Sequence, residues 1–341
     1  MTTTTFGKER NLAENHATPR DATPRTPPIT LDLASNYYPF FGALMSGRHQ
    51  AHGLDIRWHY VDPPNKLFRR VLKSPRYDVT ELSLSSYTMM REQGWRDYKA
   101  FPIFTSRRFR HSALFVRRGS RMVSGEQLRG KRVGVPDFHM TAAVWIRGML
   151  QEEYGVMPED IRWFTGRAER VKLPPAIAGR VAYVGKEARL FDWLLEKKLD
   201  AVIYAHLTRP PVAEGAVRCL FPDAVEREKA YFRKHGVIPI MHLMALKEKH
   251  LEKGLGIARK VERVLRKEKE SFFKRLEMVS SAGVLPWFSE YVDGAAGVLG
   301  PDPWPHGIEA NRKGLAKFLD YSMAQGLISR RPDLRELFID V

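Results

Sequence analysis

The segment Ser106-Arg107-Arg108-Phe109-Arg110-His111 holds the densest chemistry in this sequence. Guanidinium groups grip carboxylates through paired N–H···O bonds, so Arg107, Arg108 and Arg110 are candidate anchors for an anion. A solvated surface charge is the alternative for any one of them. Ser85 and Ser86, with Ser83, stand where an apolar stretch turns into a helix near Tyr87. Their hydroxyls would cap that helix or bond an anion. Thr141 is placed to cap a second helix whose N-terminus meets the anion. Arg147 lies more than a turn further on, facing either the ligand or a salt-bridge partner. Glu309, Asn311 and Arg312 fall at i, i+2 and i+3 of a helix, so Glu309 and Arg312 share a face, as ligand contacts or as an internal ion pair. Imidazole titrates near neutral pH, which makes His111, His139, His242 and His306 the candidate proton donors, each with a structural role as the alternative.

These residues need elements to hold them. Strand-like and helix-like stretches alternate from residue 29 onward, the pattern of an α/β fold with a largely parallel sheet. Ile29–Ala34, Leu54–Tyr60, Tyr77–Leu82, Phe101–Thr105, Ser112–Arg117 and Ala201–Tyr204 read as strands, Leu128–Val135 as a turn and a strand, and Gly236–Met241 as extended chain. Tyr37–Gly47 reads as a helix or turn. Asn65–Lys73, Thr141–Tyr154 and Phe191–Lys198 read as helices. So does the basic stretch Leu251–Met278, interrupted near Gly254 and Gly256.

At 341 residues the chain suits two lobes. We divide it into a tail over 1–28, a discontinuous first lobe over 29–117 plus 236–341, and a second lobe over 118–235. The net charge of +17 comes from 56 basic against 39 acidic residues. The basic residues are spread from Lys8 to Arg335 with no zinc-finger, RNP or helix-turn-helix signature, so attraction of a small anion accounts for them better than nucleic acid does. No stretch reaches the roughly 18 apolar residues of a membrane span. One cysteine, Cys219, excludes an internal disulfide and a thiolate cluster. Residues 1–29, rich in Thr and Pro, lack the apolar core of a secretory signal, which leads us to expect a cytoplasmic protein.

No Walker loop, nucleophile elbow or dinucleotide fingerprint is present. None of His111, His139, His242 and His306 stands in a His-x-x-His or His-Glu-x-x-His spacing, so no cofactor is expected. A divalent ion held by histidine and Glu309 is the alternative left open.

Three motifs occur in order: Glu81-Leu82-Ser83-Leu84-Ser85-Ser86-Tyr87, Arg107-Arg108-Phe109-Arg110-His111-Ser112, and Val135-Pro136-Asp137-Phe138-His139-Met140-Thr141-Ala142-Ala143 continuing to Gly148. Ile238-Pro239-Ile240-Met241-His242 and Trp304-Pro305-His306-Gly307-Ile308-Glu309-Ala310-Asn311-Arg312 complete the set. Together they resemble the 4,5-dihydroxyphthalate decarboxylase family, over roughly residues 29 to 338. The resemblance implies a two-lobed fold like the type II periplasmic binding proteins, with a ligand cleft between the lobes. It implies a carboxy-lyase that protonates a hydroxylated aromatic carboxylate and releases carbon dioxide, 4,5-dihydroxyphthalate giving protocatechuate. His242, His111 and Glu309 would then be catalytic. Ser85, Ser86, Arg107, Arg108, Arg110, Thr141, Arg147, His306, Asn311 and Arg312 would hold the substrate. Gly166–Arg180 departs from the pattern, being short and Arg-rich, which leaves the substrate rim open. A binding protein of the same fold for a small carboxylate or pyrimidine-like ligand is the rival reading. Neither a nucleic-acid nor a membrane partner is expected, while self-association of subunits, with the basic helix as one contact surface, stays open.

Overall fold

The structure is a computed structural model that describes residues 27–46, 50–185, 189–205, 212–276 and 286–341. The tail proposed over 1–28 therefore lies outside the described residues except for its last two. Two sheets form the frame. The first contains β1 (Ile29–Ser35), β2 (Gln50–Ala51), β3 (Leu54–Tyr60), β4 (Val79–Ser83), β5 (Tyr98–Ala100), β6 (Ser106–Arg107) and β13 (Ile240–Lys247). Its order is β2-β3-β1-β4-β13-β5, with β6 also paired to β13. The second contains β7 (Leu114–Arg117), β8 (Arg132–Val135), β9 (Arg162–Thr165), β10 (Val181–Tyr183), β11 (Ala201–Ile203) and β12 (Val217–Cys219), in the order β10-β9-β8-β11-β7-β12.

In the second sheet β10, β9, β8 and β11 are parallel out to the edge, and the β11–β7 and β7–β12 pairs are antiparallel. In the first, β3, β1 and β4 run together, whereas β13 returns antiparallel between β4 and β5. A strand that re-enters from the other lobe arrives against the direction of its neighbours, so the sheet is mixed rather than largely parallel. The chain first crosses between β6 and β7. That crossing places Leu114–Arg117 in the second sheet, a few residues earlier than the lobe boundary set at 117.

Local sequence explains most boundaries. In Leu54–Tyr60, Leu54 and Ile56 are buried at every second position, as in a strand with one face on the core. Val79–Ser83 is buried throughout, including Glu81. Such a strand usually reads as a continuous apolar run, so the glutamate stands out. The long basic helix starts only at Gly256 and is described to Leu276, because Gly254 sits at φ +94°, a left-handed conformation that glycine adopts without strain. Its Ala258, Val261, Val264 and Leu265 make one stripe against the first sheet. Phe101–Thr105 follows β13 through single backbone bonds, such as Thr105 N–H to the His242 carbonyl, without forming a strand. The helix Thr141–Tyr154 is buried along its first ten residues and packs on Ile308–Ala324. Gly148 permits that contact, since a Cβ there would come within 2.1 Å of the Tyr321 ring. Among the described residues no helix is long and apolar enough to cross a membrane.

Candidate functional site

Strand β4 ends at Ser83, which caps the helix Leu84–Glu92 by accepting the Ser86 N–H. The hydroxyl of Thr141 bonds Ser83 Oγ at 2.8 Å and accepts the Ser85 N–H at 3.1 Å. Thr141 thus ties two helix starts together, while the cap position of its own helix is Met140. Both helix starts, each with a partial positive charge, border a cleft of about 650 Å³ between the sheets. Residues in or just after strands of the first sheet (Asn36, Ser83, His242) face residues that follow strands of the second (Thr141, Arg167, Tyr204) across it. Phe68 and Phe191 add apolar wall.

His242 is the cleft residue with the most specific support. Its Nδ1 lies 2.7 Å from Oε1 of Glu81 and 3.3 Å from the Tyr38 hydroxyl, and its ring meets Phe68 edge to face. Glu81 is fully buried, and its second oxygen accepts the Asn36 N–H at 2.8 Å. Burial, then the Glu81 carboxylate, raises the Tyr38 phenol well above its ordinary pKa, so Tyr38 stays protonated and donates to Glu81. A carboxylate flanked by these donors fixes the imidazole with Nδ1–H toward Glu81. Nε2 is left facing the cleft without a partner among the described residues.

Arg110 supplies the complementary charge. Its Nε donates to Met241 Sδ at 3.4 Å and Nη1 to the Ala205 carbonyl at 3.3 Å. Burial, then the neighbouring Arg108, lowers its pKa to about 10, which leaves it charged at neutral pH. No carboxylate among the described residues lies within ion-pair distance of it. A half-buried guanidinium without a counter-charge loses part of its hydration with nothing to replace it until something anionic joins it. Arg108 is an exposed cation on the same wall. Arg167 and Arg170 reach in from the second lobe, both paired with Asp137 at 2.8 and 3.4 Å.

The remaining sequence-predicted residues lie outside this cleft. Residues on extended chain alternate sides, so Arg107 turns away from Arg108 and Arg110. It stacks on Phe104 and donates to Asn311 and to the Pro305 carbonyl. Asn311 completes that reverse-side knot by donating to the Pro305 and Gly307 carbonyls. His111 opens the turn that carries the chain into β7, packing on Phe221 and Tyr231 with Glu153 at 3.7 Å. Arg147 lies six residues beyond Thr141, about 120° around the helix. It stacks on Phe138 at 3.8 Å and bonds Gln325 and the Phe138 carbonyl. Ser86 faces His139 at 3.2 Å, and Ser85 is buried beside Thr141. Glu309 and Arg312 pair on the surface, their side chains 81% and 58% exposed.

Tyr38, Glu81, Asp62, Arg167 and Arg170 were not singled out by the sequence. The signals were the one charged residue of the short strand Val79–Ser83 and the arginines of the atypical 166–180 stretch. That stretch also carries Glu169, which bonds His139 Nδ1 and the Phe138 N–H. Asp137, His139 and Glu169 bring three donor atoms within 4.8 Å, a spacing that a metal ion could use. Their charge is already matched, however. Burial would raise the Asp137 carboxyl, but Arg170, His139 and Arg167 hold it well below the usual carboxylate range. Two arginines on that carboxylate disfavour a cation there. Cys219 is half-buried and its thiol is raised by burial, unlike an activated nucleophile.

His306 has both ring nitrogens shut from solvent and unpartnered. Burial, then Lys269 and Arg107, pushes its pKa down to about 3. The unfolded chain therefore binds this proton first as pH falls. The stability gained by keeping His306 neutral is complete above about pH 6.5 and is lost toward pH 3. A melting series from pH 7 to 4 should show a smaller loss of Tm in His306→Gln than in the wild type; equal losses would contradict a neutral buried imidazole.

Three comparisons bear on this geometry. Residues 32–218 match a family described as "ABC transporter, phosphonate, periplasmic substrate-binding protein". A 4,5-dihydroxyphthalate decarboxylase of Comamonas testosteroni is 32% identical over 323 residues, 91% of this chain and 96% of that protein. A second, from Pseudomonas putida, is 36% identical over 183 residues, 51% of this chain and 70% of its own length. The fold is that of the periplasmic binding proteins. The aliphatic sulphonate-binding protein of Escherichia coli superposes with a TM-score of 0.54 at 12% identity, covering 91% of this chain and 97% of its own. The alkanesulfonate-binding protein of Xanthomonas axonopodis bound to MOPS gives 0.53 at 14%, covering 92% and 99%.

Proposed function

This chain belongs to the 4,5-dihydroxyphthalate decarboxylase family, and on that premise we propose that it removes a carboxylate from a hydroxylated aromatic acid, with 4,5-dihydroxyphthalate the first substrate to consider. One observation carries the reading: a cleft histidine, His242, has its Nδ1 fixed by a buried carboxylate and its Nε2 directed at the space where the uncompensated Arg110 would hold an anion. A receptor for the same anion needs the arginine, but it has no use for a buried glutamate behind the imidazole.

The chemistry follows from those parts. Arg110 and Arg108 grip carboxylate, and the helix starts at Leu84 and Thr141 add partial positive charge. Phe68 and Phe191 confine the ring. Protonated His242 gives its Nε2 proton to the ring carbon bearing the departing carboxylate, while a para hydroxyl supplies electron density to the ring. The carbon–carboxylate bond then breaks, its electron pair restores aromaticity, and carbon dioxide leaves. One proton is consumed per carbon dioxide, and His242 recovers it from solvent. Glu81 stabilises the imidazolium and keeps the ring aimed.

Reaction in deuterium oxide should place one deuterium on the product ring, at the carbon that lost the carboxylate, as read by mass spectrometry. A decarboxylated product without ring deuterium would contradict protonation from an exchangeable group. Glu81→Gln, which preserves shape but not charge, should lower kcat by about 10²-fold with KM little moved. An unchanged kcat in a variant of normal Tm would remove Glu81 from the mechanism.

A further inference from the structure

We propose that Asp62 is a specificity-determining residue that accepts a hydrogen bond from a ring hydroxyl, so that the cleft selects hydroxylated rings and sets their direction. The inference rests on the aromatic-acid reading and extends it to the end of the ring remote from the arginines.

Strand order lays out the cleft floor. Asp62 follows β3, Asn36 follows β1, Ser83 ends β4, His242 lies in β13, and Arg108 and Arg110 follow β6 on the far side of β13. From β3 to β13 there are three strand intervals, roughly 14 Å at the usual sheet spacing. The floor therefore carries an acceptor end and a donor end, with the proposed acid, His242, between them. At the acceptor end Asp62 takes one hydrogen bond, from Asn36 Nδ2 to Oδ1 at 2.9 Å. Its Oδ2 has no partner among the described residues. Asn65, beside it in the cleft wall, has an Oδ1 shut from solvent with no partner.

Ionised carboxylates only accept hydrogen bonds, and an O–H donor to one makes a bond about twice as strong as a neutral pair. A substrate carboxylate turned toward Asp62 would meet like charge, whereas one turned toward Arg108 and Arg110 meets opposite charge. A ring with acid groups at one end and hydroxyls at the other thus has one favourable direction. In that direction the hydroxyl para to the departing carboxylate reaches Asp62. Its O–H is polarised there, which strengthens the electron donation that ring protonation requires. Binding sites that hydrogen-bond a hydroxyl discriminate strongly against the analogue that lacks it.

Calorimetric titration with 3,4-dihydroxybenzoate and with benzoate tests this without turnover. Wild type should bind the dihydroxy acid at least about tenfold more tightly. Asp62→Ala should bring the two affinities together by weakening the dihydroxy acid alone, and Asp62→Asn, which retains an oxygen for Asn36, should fall between. No preference in the wild type would overturn the proposal. So would an equal loss for both ligands in Asp62→Ala, which would mark a structural role through Asn36. Carbon dioxide release from 4,5-dihydroxyphthalate is measured alongside. Were the wild type silent there but the Asp62 dependence present, the decarboxylase reading would fall and the hydroxyl-recognition role would stand.

Discussion

His242→Ala should lose about 10²- to 10⁴-fold in kcat while binding a product-like carboxylate nearly as well as the wild type. The split is expected because His242 makes its contribution when a proton moves, whereas the carboxylate grip comes from Arg110, Arg108 and the helix starts. The imidazole is 18% exposed, on its cleft side, and anchored by Glu81 on the other. Its removal opens space at the cleft wall without leaving a buried charge in water-free surroundings, apart from Glu81, which keeps the Tyr38, Asn36 and Thr105 donors. Rapid-quench turnover and product titration on the same preparation measure the two effects. Unchanged turnover would exclude His242 as the acid.

Arg110→Met should weaken substrate and product binding by about ten- to hundredfold, the effect of one lost hydrogen bond to a charged group. The same change should leave Tm unchanged or higher. In the free protein this guanidinium is half-buried against a thioether and a carbonyl, with Arg108 as a like-charged neighbour and, among the described residues, no carboxylate in contact. Replacing this uncompensated, half-buried charge with an apolar side chain of similar reach relieves its partial desolvation. A large fall in Tm with KM preserved would show Arg110 to be structural. The opposite sign is expected at Arg147, which is more deeply buried but stacked on Phe138 and bonded to Gln325, so that its loss should cost stability.

Much of the frame was legible in the sequence. Leu54–Tyr60 and Thr141–Tyr154 have the bounds that periodicity predicts, because a two-residue alternation and a sustained apolar helix are local signals. The candidate site was legible only in part. Arg107, Arg108 and Arg110 look alike in sequence, and pairing with β13 decides which of them faces the ligand. Tyr38 and Glu81 meet His242 across sequence gaps of 204 and 161 residues. No spacing rule reports such a contact. Glu81 was still open to detection: a carboxylate in the middle of Val79–Ser83 must have a buried partner or a function. The Arg-rich departure at 166–180 was visible as a difference, yet its consequence needed the fold, which brings Arg167 and Arg170 into the cleft and Glu169 onto His139.

The most direct measurement is carbon dioxide release from purified protein offered 4,5-dihydroxyphthalate, its 3,4-isomer and simple hydroxybenzoates, each with and without chelator, beside His242→Ala. The expected result is release from a ring whose hydroxyl is para to a carboxylate, undiminished by chelator and nearly abolished in the variant. No release from any of these acids, with a thermal shift from several, would contradict the decarboxylase reading and leave a binder of aromatic carboxylates.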